Sequence, residues 1–250
     1  MEGESNIKET IPDKDKVKHS LLLLSERYNY NHWIYNNIKN FIGNNILEVG
    51  AGIGNITDFI ILRNKLTLID IDQSYIDYLN AKYSFRDQSN FNVFQADIQN
   101  INSSPLAATM YDTIICLNIL EHLENDRKAV ENMISLLQPS GRLIILVPAL
   151  NTLHGSMDIS FGHYRRYNKK QLKMLIEGQN LDIVNFYYLN FLGLFGWFIN
   201  GKIFKNKELP ENQTKIFDKL VPLLGLIEKI IKPPVGQSLI LIAQKKQLKT

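Results

Sequence analysis

The hydrophobic positions of this chain form short apolar runs separated by longer polar segments. Five runs rich in Ile, Leu and Val come first, at 45–49, 66–71, 91–96, 112–118 and 142–148. Continuous apolar runs of this length are typical of parallel strands buried on both faces, and the intervals are long enough for helical crossovers. Two further strand-like runs follow at 182–190 and 238–245. The pattern predicts a doubly wound α/β sheet.

Helical spacing marks the segments on either side of this core. Trp33, Ile34, Ile38, Phe41 and Ile42 recur at a helical period and predict a capping helix before the sheet. Helix signals return at 169–180 and 214–231, with an apolar aromatic stretch at 191–204 between them.

One domain with three parts is expected. The parts are a leader and capping helix (1–40), the α/β core (41–150), and a last part (151–250) with a loop, a helix, the last strands and an aromatic helical insertion. The polar leader, to about Lys18, is expected to be mobile.

Composition narrows the possible partners and compartment. The 28 basic and 25 acidic residues give a net charge of +3, too small for the broad basic surface of a nucleic-acid binder. The single cysteine, Cys116, lies in an apolar run and is expected in the core. The acidic start MEGES and the four leucines 21–24 fit neither a signal peptide nor a membrane span. A cytoplasmic protein is expected.

A glycine turn follows the first strand. Gly50, Gly52 and Gly54 form GxGxG, with Glu48 two residues before them. In open α/β sheets, ligands bind beyond the carboxyl ends of the strands, where bare backbone permits close approach. A dinucleotide fingerprint would instead read GxGxxG.

The acidic residue before GxGxG resembles the first motif of the class I S-adenosylmethionine-dependent methyltransferases. Asp70 at the end of the second strand, Asp97 after the third, NILEH at 118–122 and LQPSGRLIILVP at 137–148 extend this resemblance from about Gly43 to Pro148. It implies a Rossmann-like, mostly parallel sheet of seven strands with a helical insertion before the last strand, S-adenosylmethionine as cofactor, S-adenosylhomocysteine as product, and no metal. The cofactor-binding residues it implies are Glu48, Gly50, Ala51, Gly52, Gly54, Asp70, Ile71, Asp97, Ile98 and Asn118. The family often uses the N-terminal segment as a lid, so Tyr28, Tyr30 and Trp33 are expected to close over the methionine part of the cofactor, although Trp33 could instead pack in the core. Taken alone, Asp70 or Asp97 could be a helix cap or turn acid, but their occurrence together favours the cofactor-binding interpretation.

The segment GHYRRY, with the aromatic and helical stretches after it, resembles a subgroup of small bacterial and archaeal methyltransferases. Members of that subgroup are often associated with glycans, lipid-linked sugars and secondary metabolites. The resemblance implies a small-molecule or lipid-linked acceptor and leaves its identity open. The predicted acceptor-binding residues are Tyr164, Arg165, Arg166, Tyr167 and Trp197.

Arg165 and Arg166 suit bidentate recognition of a carboxylate or phosphate. Alternatively, one arginine pairs with Asp158 to hold the loop and the other is solvated. A hydroxyl acceptor would need a base, for which His163 and then His122 are the candidates, with His154 behind them. All three histidines could instead have only packing and hydrogen-bonding roles.

The aromatic stretch 191–204 is too short to span a bilayer. It could cover an apolar acceptor, touch a membrane peripherally, pack on the sheet or contact a second copy. Two other functions remain open for the whole chain: a methyltransferase fold that only binds, and a nicotinamide-dependent oxidoreductase. A nucleic-acid methyltransferase is disfavoured because NILEH stands where a base-flipping motif would be. The oligomeric state cannot be predicted from the sequence.

Overall fold

A computed structural model describes residues 14–63, 65–103 and 105–247. It contains one sheet with strand order β3-β2-β1-β4-β5-β7-β6. The strands are β1 Asn45–Val49, β2 Lys65–Asp70, β3 Phe91–Gln95, β4 Tyr111–Leu117, β5 Leu137–Pro148, β6 Leu181–Leu189 and β7 Ser238–Lys245. Only β7 is antiparallel to its neighbours, β5 and β6. The predicted seven-stranded, mostly parallel sheet is confirmed.

Nine α-helices flank the sheet in the described part of the chain. They are α1 Lys14–Ser25, α2 Tyr28–Ile38, α3 Thr57–Ile60, α4 Gln73–Lys82, α5 Asp126–Ser135, α6 Ser156–Ser160, α7 Lys169–Ile176, α8 Phe191–Phe198 and α9 Glu211–Ile231. A π-helical turn, Ile199–Ile203, continues α8. The predicted N-terminal cap consists of two helices rather than one, and α1 begins inside the segment that was expected to be a mobile leader. Residues 1–13 of that leader lie outside the described residues.

Two hydrophobic clusters, one on each face of the sheet, form the core. Alternate residues of a strand point to opposite faces, so Leu47 joins one cluster and Ile46 the other. Both side chains are fully buried, which explains why the strand reads as a continuous apolar run. Cys116 is buried in the first cluster, as expected, and burial raises the pKa of its thiol far above the usual range.

The strand order reverses direction between β1 and β4. The chain runs outward through β2 and β3 on one side and through β5 on the other. Connections that diverge in this way leave a crevice at the carboxyl ends of the strands, the usual ligand site of an open α/β sheet.

The N-terminal helices and the insertion before β7 meet above this crevice. The Asp218 carboxylate of α9 accepts hydrogen bonds from the Tyr30 backbone N–H at 2.8 Å and from the Asn29 side chain at 3.1 Å. The Arg27 side chain donates to the Thr214 hydroxyl at 3.2 Å. Two distant parts of the sequence thus form one roof.

Trp33 packs in the core beneath this roof. It is buried and contacts Gly225 of α9, where any side chain would collide with the indole.

Within the described residues, no helix combines the length and the apolar character needed to cross a membrane.

Candidate active site

A large cavity of about 950 Å³ lies at the switch point, between the carboxyl ends of the strands and the helical roof. Most of the residues predicted for the site line it. These are Glu48, Gly50, Ala51, Gly52, Asp70, Ile71, Asp97, Ile98, Asn118, His122, His163, Arg166 and Trp197. Sequence positions from 48 to 197 are therefore brought together at one opening.

The glycine turn needs a backbone conformation that other residues adopt poorly. Gly50, Gly52 and Gly54 have φ angles of +70°, +55° and +84°. A side chain at Gly50 would also collide with Ile119, and one at Gly54 with the Tyr83 hydroxyl. Beside Gly52 there is space, with Leu21 at 3.6 Å from the position of an added Cβ. Gly52 therefore exposes bare backbone to the cavity, while Gly54 does not line it and shapes the turn.

The two acids beside this turn are buried and hydrogen-bonded. Glu48 accepts a hydrogen bond from the Thr57 hydroxyl at 2.7 Å, and burial raises its pKa to about 7. Asp70 accepts from the backbone N–H groups of Gly52 at 2.9 Å and Asp72 at 3.0 Å. Burial raises the pKa of Asp70 above its ordinary value, because it outweighs these hydrogen bonds. Asp70 therefore fixes the turn and faces the cavity.

Asp97 is a turn acid that also lines the cavity. Its carboxylate accepts from the Gln99 backbone N–H and the Asn100 side chain, both at 2.8 Å, as a turn acid does. It also lines the cavity, with the buried Ile98 beside it. Asn118, after β4, has a φ of +55°, and its backbone N–H donates to Leu146.

Asp158 organises three side chains that line the cavity. Its carboxylate is fully buried and contacts His163 Nδ1 at 2.9 Å, Arg166 Nε at 2.7 Å and Trp197 Nε1 at 3.0 Å. It also accepts from the Gly155 backbone N–H at 2.9 Å. Burial alone would raise the pKa of Asp158, but the His163 hydrogen bond and the Arg166 charge together hold it well below its usual range.

The two histidines form an edge-to-face pair with their ring centres 4.7 Å apart. Burial, together with His163, lowers the pKa of His122 to about 3, so this imidazole is neutral. Burial also lowers the pKa of His163, and Asp158 opposes that shift. With its proton on Nδ1 donated to Asp158, His163 keeps a lone pair on Nε2. Nε2 of His154 contacts the backbone carbonyl of His163 at 3.1 Å, so this third candidate supports the loop.

Glu121 belongs to the site although the sequence did not single it out. Its side chain is buried and lines the cavity, and its Oε2 has no hydrogen-bond partner among the described residues. Burial, with no neighbour to compensate it fully, raises its pKa to about 8. The only sequence signal was an acid placed directly before His122 in an otherwise apolar segment.

Glu121, His122 and His163 bring one possible metal-ligand atom each to within 4.8 Å of one another. In the part of the chain that the structure describes, this is the group whose geometry could hold a metal ion.

The two adjacent arginines lie on opposite sides of their segment. Arg166 is buried and faces the cavity, where its guanidinium lies 4.6 Å from the Trp197 ring centre. It also donates from Nη1 to the Ala149 carbonyl at 3.0 Å, while Nη2 has no partner among the described residues. Arg165 lies outside the cavity and pairs with Asp126 at 2.9 Å. The alternative in which one arginine pairs with Asp158 thus describes Arg166, and Arg165 is ion-paired rather than free.

Three tyrosines predicted for the site also lie outside the cavity. Tyr167 is buried, and its hydroxyl donates to Asp126 at 2.7 Å, so it holds the loop. Tyr164 and Tyr28 are each 62% exposed. Tyr28 stacks on His32 at the outer surface of α2. Tyr30, two residues further along the helix, lines the cavity in its place.

Comparison with known proteins finds a family model that is similar to the central part of the chain. The family model for a methyltransferase domain matches residues 47–143. The ubiquinone biosynthesis O-methyltransferase of Rickettsia canadensis (strain McKiel) is 33% identical over 112 residues, which cover 44% of this chain and 44% of that protein. The protein of the same name from Coxiella burnetii (strain RSA 331 / Henzerling II) is 28% identical over 102 residues, covering 40% and 42%. The chain thus spans less than half the length of the curated relatives it matches.

Solved structures share the fold at low sequence identity. The N-methyltransferase NodS of Bradyrhizobium japonicum WM9, solved with S-adenosyl-L-homocysteine, has a TM-score of 0.55 at 15% identity and covers 89% of this chain and 87% of its own. An S-adenosylmethionine-dependent methyltransferase of Clostridium acetobutylicum ATCC 824 has a TM-score of 0.57 at 12% identity, covering 87% and 91%. SpnF, a [4+2]-cyclase, has a TM-score of 0.59 at 14% identity, covering 88% and 81%. This sheet, together with the match at residues 47–143 and these structural neighbours, shows that the chain has the Rossmann-like methyltransferase fold.

Proposed function

We propose that this protein transfers the methyl group of S-adenosylmethionine to an oxygen atom of a small-molecule or lipid-linked acceptor. The observation that carries the proposal is one cavity lined both by the glycine turn with Asp70 and by His163, which Asp158 holds through a hydrogen bond. Its volume of about 950 Å³ lies at the upper end of ~300–1,000 Å³, the range for sites that hold one drug-sized ligand. That leaves room for a cofactor and an acceptor side by side.

The glycine turn and the acids beside it fit the cofactor. Asp70 can accept hydrogen bonds from ribose hydroxyls, since its carboxylate offers about four lone-pair sites and two are used by backbone N–H groups. Gly52 presents bare backbone, and Asp97 with Ile98 forms the wall where an adenine ring would lie. When bound, S-adenosylmethionine supplies a methyl group on a positively charged sulfur that becomes neutral on transfer.

Asp158, His163 and Arg166 would prepare the acceptor. Holding the acceptor oxygen in line behind the methyl group can contribute on the order of 7 kcal/mol or more. Asp158 orients His163 so that Nε2 can take the proton of an acceptor hydroxyl. We assign the base to His163 rather than His122, because a group with a pKa of about 3 is too weak a base near neutral pH. The free Nη2 of Arg166 is the candidate contact for an anionic group on the acceptor.

Calorimetric titration with S-adenosylhomocysteine tests the cofactor assignment. We expect binding of S-adenosylhomocysteine, none of NAD, and loss of binding in Asp70→Ala. Binding of NAD alone would replace the proposal with a nicotinamide-dependent oxidoreductase. Binding without turnover of any acceptor, in a screen starting with anionic and lipid-linked sugars, would favour the alternative of a catalytically inactive binding subunit.

Kinetics of the histidine variants test the base. With an acceptor from that screen, His163→Gln should lower kcat by about 10²- to 10⁴-fold, the usual contribution of a general base. His122→Gln should change kcat much less, because this residue is assigned no proton transfer. Normal kcat in both variants would exclude base catalysis by either histidine.

A further inference from the structure

Helix α9 turns an apolar face toward solvent. Seven large aliphatic side chains on it are between 43% and 83% exposed: Ile216, Leu220, Leu223, Leu226, Ile227, Ile230 and Ile231. Their spacing of three and four residues places them on one side of a helix. Soluble proteins rarely leave an apolar patch of this size uncovered unless it has a binding role.

The other side of α9 is the one that packs on the protein. Val221 is buried, and Gly225 lies against Trp33. The two acids on this side are also occupied: Asp218 binds the N-terminus of α2, and Glu228 accepts from the backbone N–H groups of Asn190 and Phe191 at 2.9 and 2.7 Å. The exposed stripe is therefore the outer face of a docked helix.

Helix α8 and its π-helical turn lie beside α9. Glu228 holds the start of α8, and near its end the Asn200 side chain donates to Gln213 of α9 at 2.7 Å. This segment adds Leu192, Phe195, Phe198, Ile199, Ile203 and Phe204, each at least 40% exposed. The exposed apolar side chains of both elements, with the lysines of residues 191–237, are called the insertion face below.

The charges of the insertion face are mostly positive. Residues 191–237 contain seven lysines: Lys202, Lys205, Lys207, Lys215, Lys219, Lys229 and Lys232. Of the four acids in that range, Asp218 and Glu228 point inward and Glu211 pairs with Lys215, which leaves Glu208. Exposed aliphatic and aromatic side chains next to lysines are the composition of a helix that lies in the interface of an anionic membrane.

We propose that the insertion face docks on the surface of a bilayer that contains anionic lipids, with its apolar side chains in the headgroup region and its lysines on lipid phosphates. A second copy of the chain fits less well, because two such faces brought together would oppose positive charge to positive charge. The inner sides of the same helices line the cavity through residues such as Trp197 and Phe217. If the proposed function holds, a lipid-linked acceptor would enter from the membrane side; the docking itself does not depend on it.

Vesicle flotation tests the docking on the intact chain. Vesicles of phosphatidylcholine with phosphatidylglycerol should bind the wild type at least about tenfold more tightly than pure phosphatidylcholine vesicles, and salt should weaken the binding. Leu223→Glu with Ile227→Glu should weaken it by at least about tenfold, since it puts two charges where apolar side chains insert. Lys219→Gln with Lys229→Gln should weaken binding only to the anionic vesicles.

Phe85→Glu is the matched control, because Phe85 is 69% exposed beyond the end of α4, away from the insertion face. Thermal unfolding of each variant shows that the fold is retained. The proposal is overturned if the wild type floats with neither vesicle or if the Leu223/Ile227 variant floats like the wild type. It is also overturned if the wild type is a dimer that this variant dissolves while vesicles bind neither protein; the face would then belong to a second copy.

Discussion

At the residue scale, the titratable groups of the cavity differ sharply although they lie side by side. Asp158 has three charged or polar side chains as partners and ionises readily. Glu121 has an oxygen without a partner among the described residues and resists ionisation. Partners, more than depth, therefore decide which carboxyl group holds its charge.

Glu121 should make stability depend on pH. Burial raises its native pKa to about 8, whereas the unfolded chain titrates near 4.5. Its contribution to stability is full below about pH 4.5 and is lost as pH rises through about 8, at up to about 1.4 kcal/mol per pH unit. Glu121→Gln cannot ionise, so the unfolding free energy of the variant relative to the wild type should rise steadily between those pH values.

Urea unfolding at evenly spaced pH values between pH 5 and pH 9 would measure this difference across the titration. Glu124→Gln is the matched control, because Glu124 is exposed three residues further along. If the unfolding free energies of the Glu121 and Glu124 variants differed from that of the wild type by a constant amount at every pH, Glu121 would be ionised normally in the folded protein.

At the element scale, the glycine turn combines backbone strain with a steric limit. Gly50→Ala should cost about 1–3 kcal/mol of unfolding free energy, because a φ of +70° is unfavourable for alanine and the new methyl group meets Ile119. Gly178→Ala separates the two effects: it has a φ of +77° but no described atom within 4 Å of the added carbon. It should cost only the backbone term, about 1 kcal/mol.

Urea unfolding of both variants gives the difference, and S-adenosylhomocysteine binding should weaken only in Gly50→Ala. Equal losses of stability would mean that Ile119 moves aside freely.

The strands were predictable because burial on both faces of the sheet leaves a continuous apolar run such as 45–49. The division of the N-terminal cap into α1 and α2 was not, because no glycine or proline marks the break at Arg27. The arginines show the same limit within a single loop. Tyr167 pairs with Ala149 as an extended bridge, so neighbouring side chains alternate in direction, and only tertiary structure tells which of two adjacent arginines faces inward.

At the scale of the whole molecule, the cavity is assembled from parts far apart in the chain. The sheet supplies its floor, and helices from the N-terminal cap and from the insertion supply its roof. The Asp218 carboxylate at the N-terminus of α2 joins the two roof parts, together with the Arg27–Thr214 hydrogen bond and the packing of Trp33 on α9. The sequence of a helical cap does not indicate which other helix the cap will contact. The sequence therefore located both segments but not the contact between them.

Asp218→Ala should loosen this roof without touching the sheet. Removing the carboxylate leaves the Tyr30 N–H unsatisfied at a helix start, at a cost of about 0.5–2 kcal/mol. Amide hydrogen exchange should therefore speed up in α1 and α2, while the amides of β1 and β4 keep their protection. Glu211→Ala is the control on the same helix, because its ion pair with Lys215 is exposed to solvent and contributes little to stability. If exchange in α2 stays as slow in Asp218→Ala as in this control, the cap is held by the packing of Trp33 against α9, and the roof is a hydrophobic contact rather than a hydrogen-bonded one.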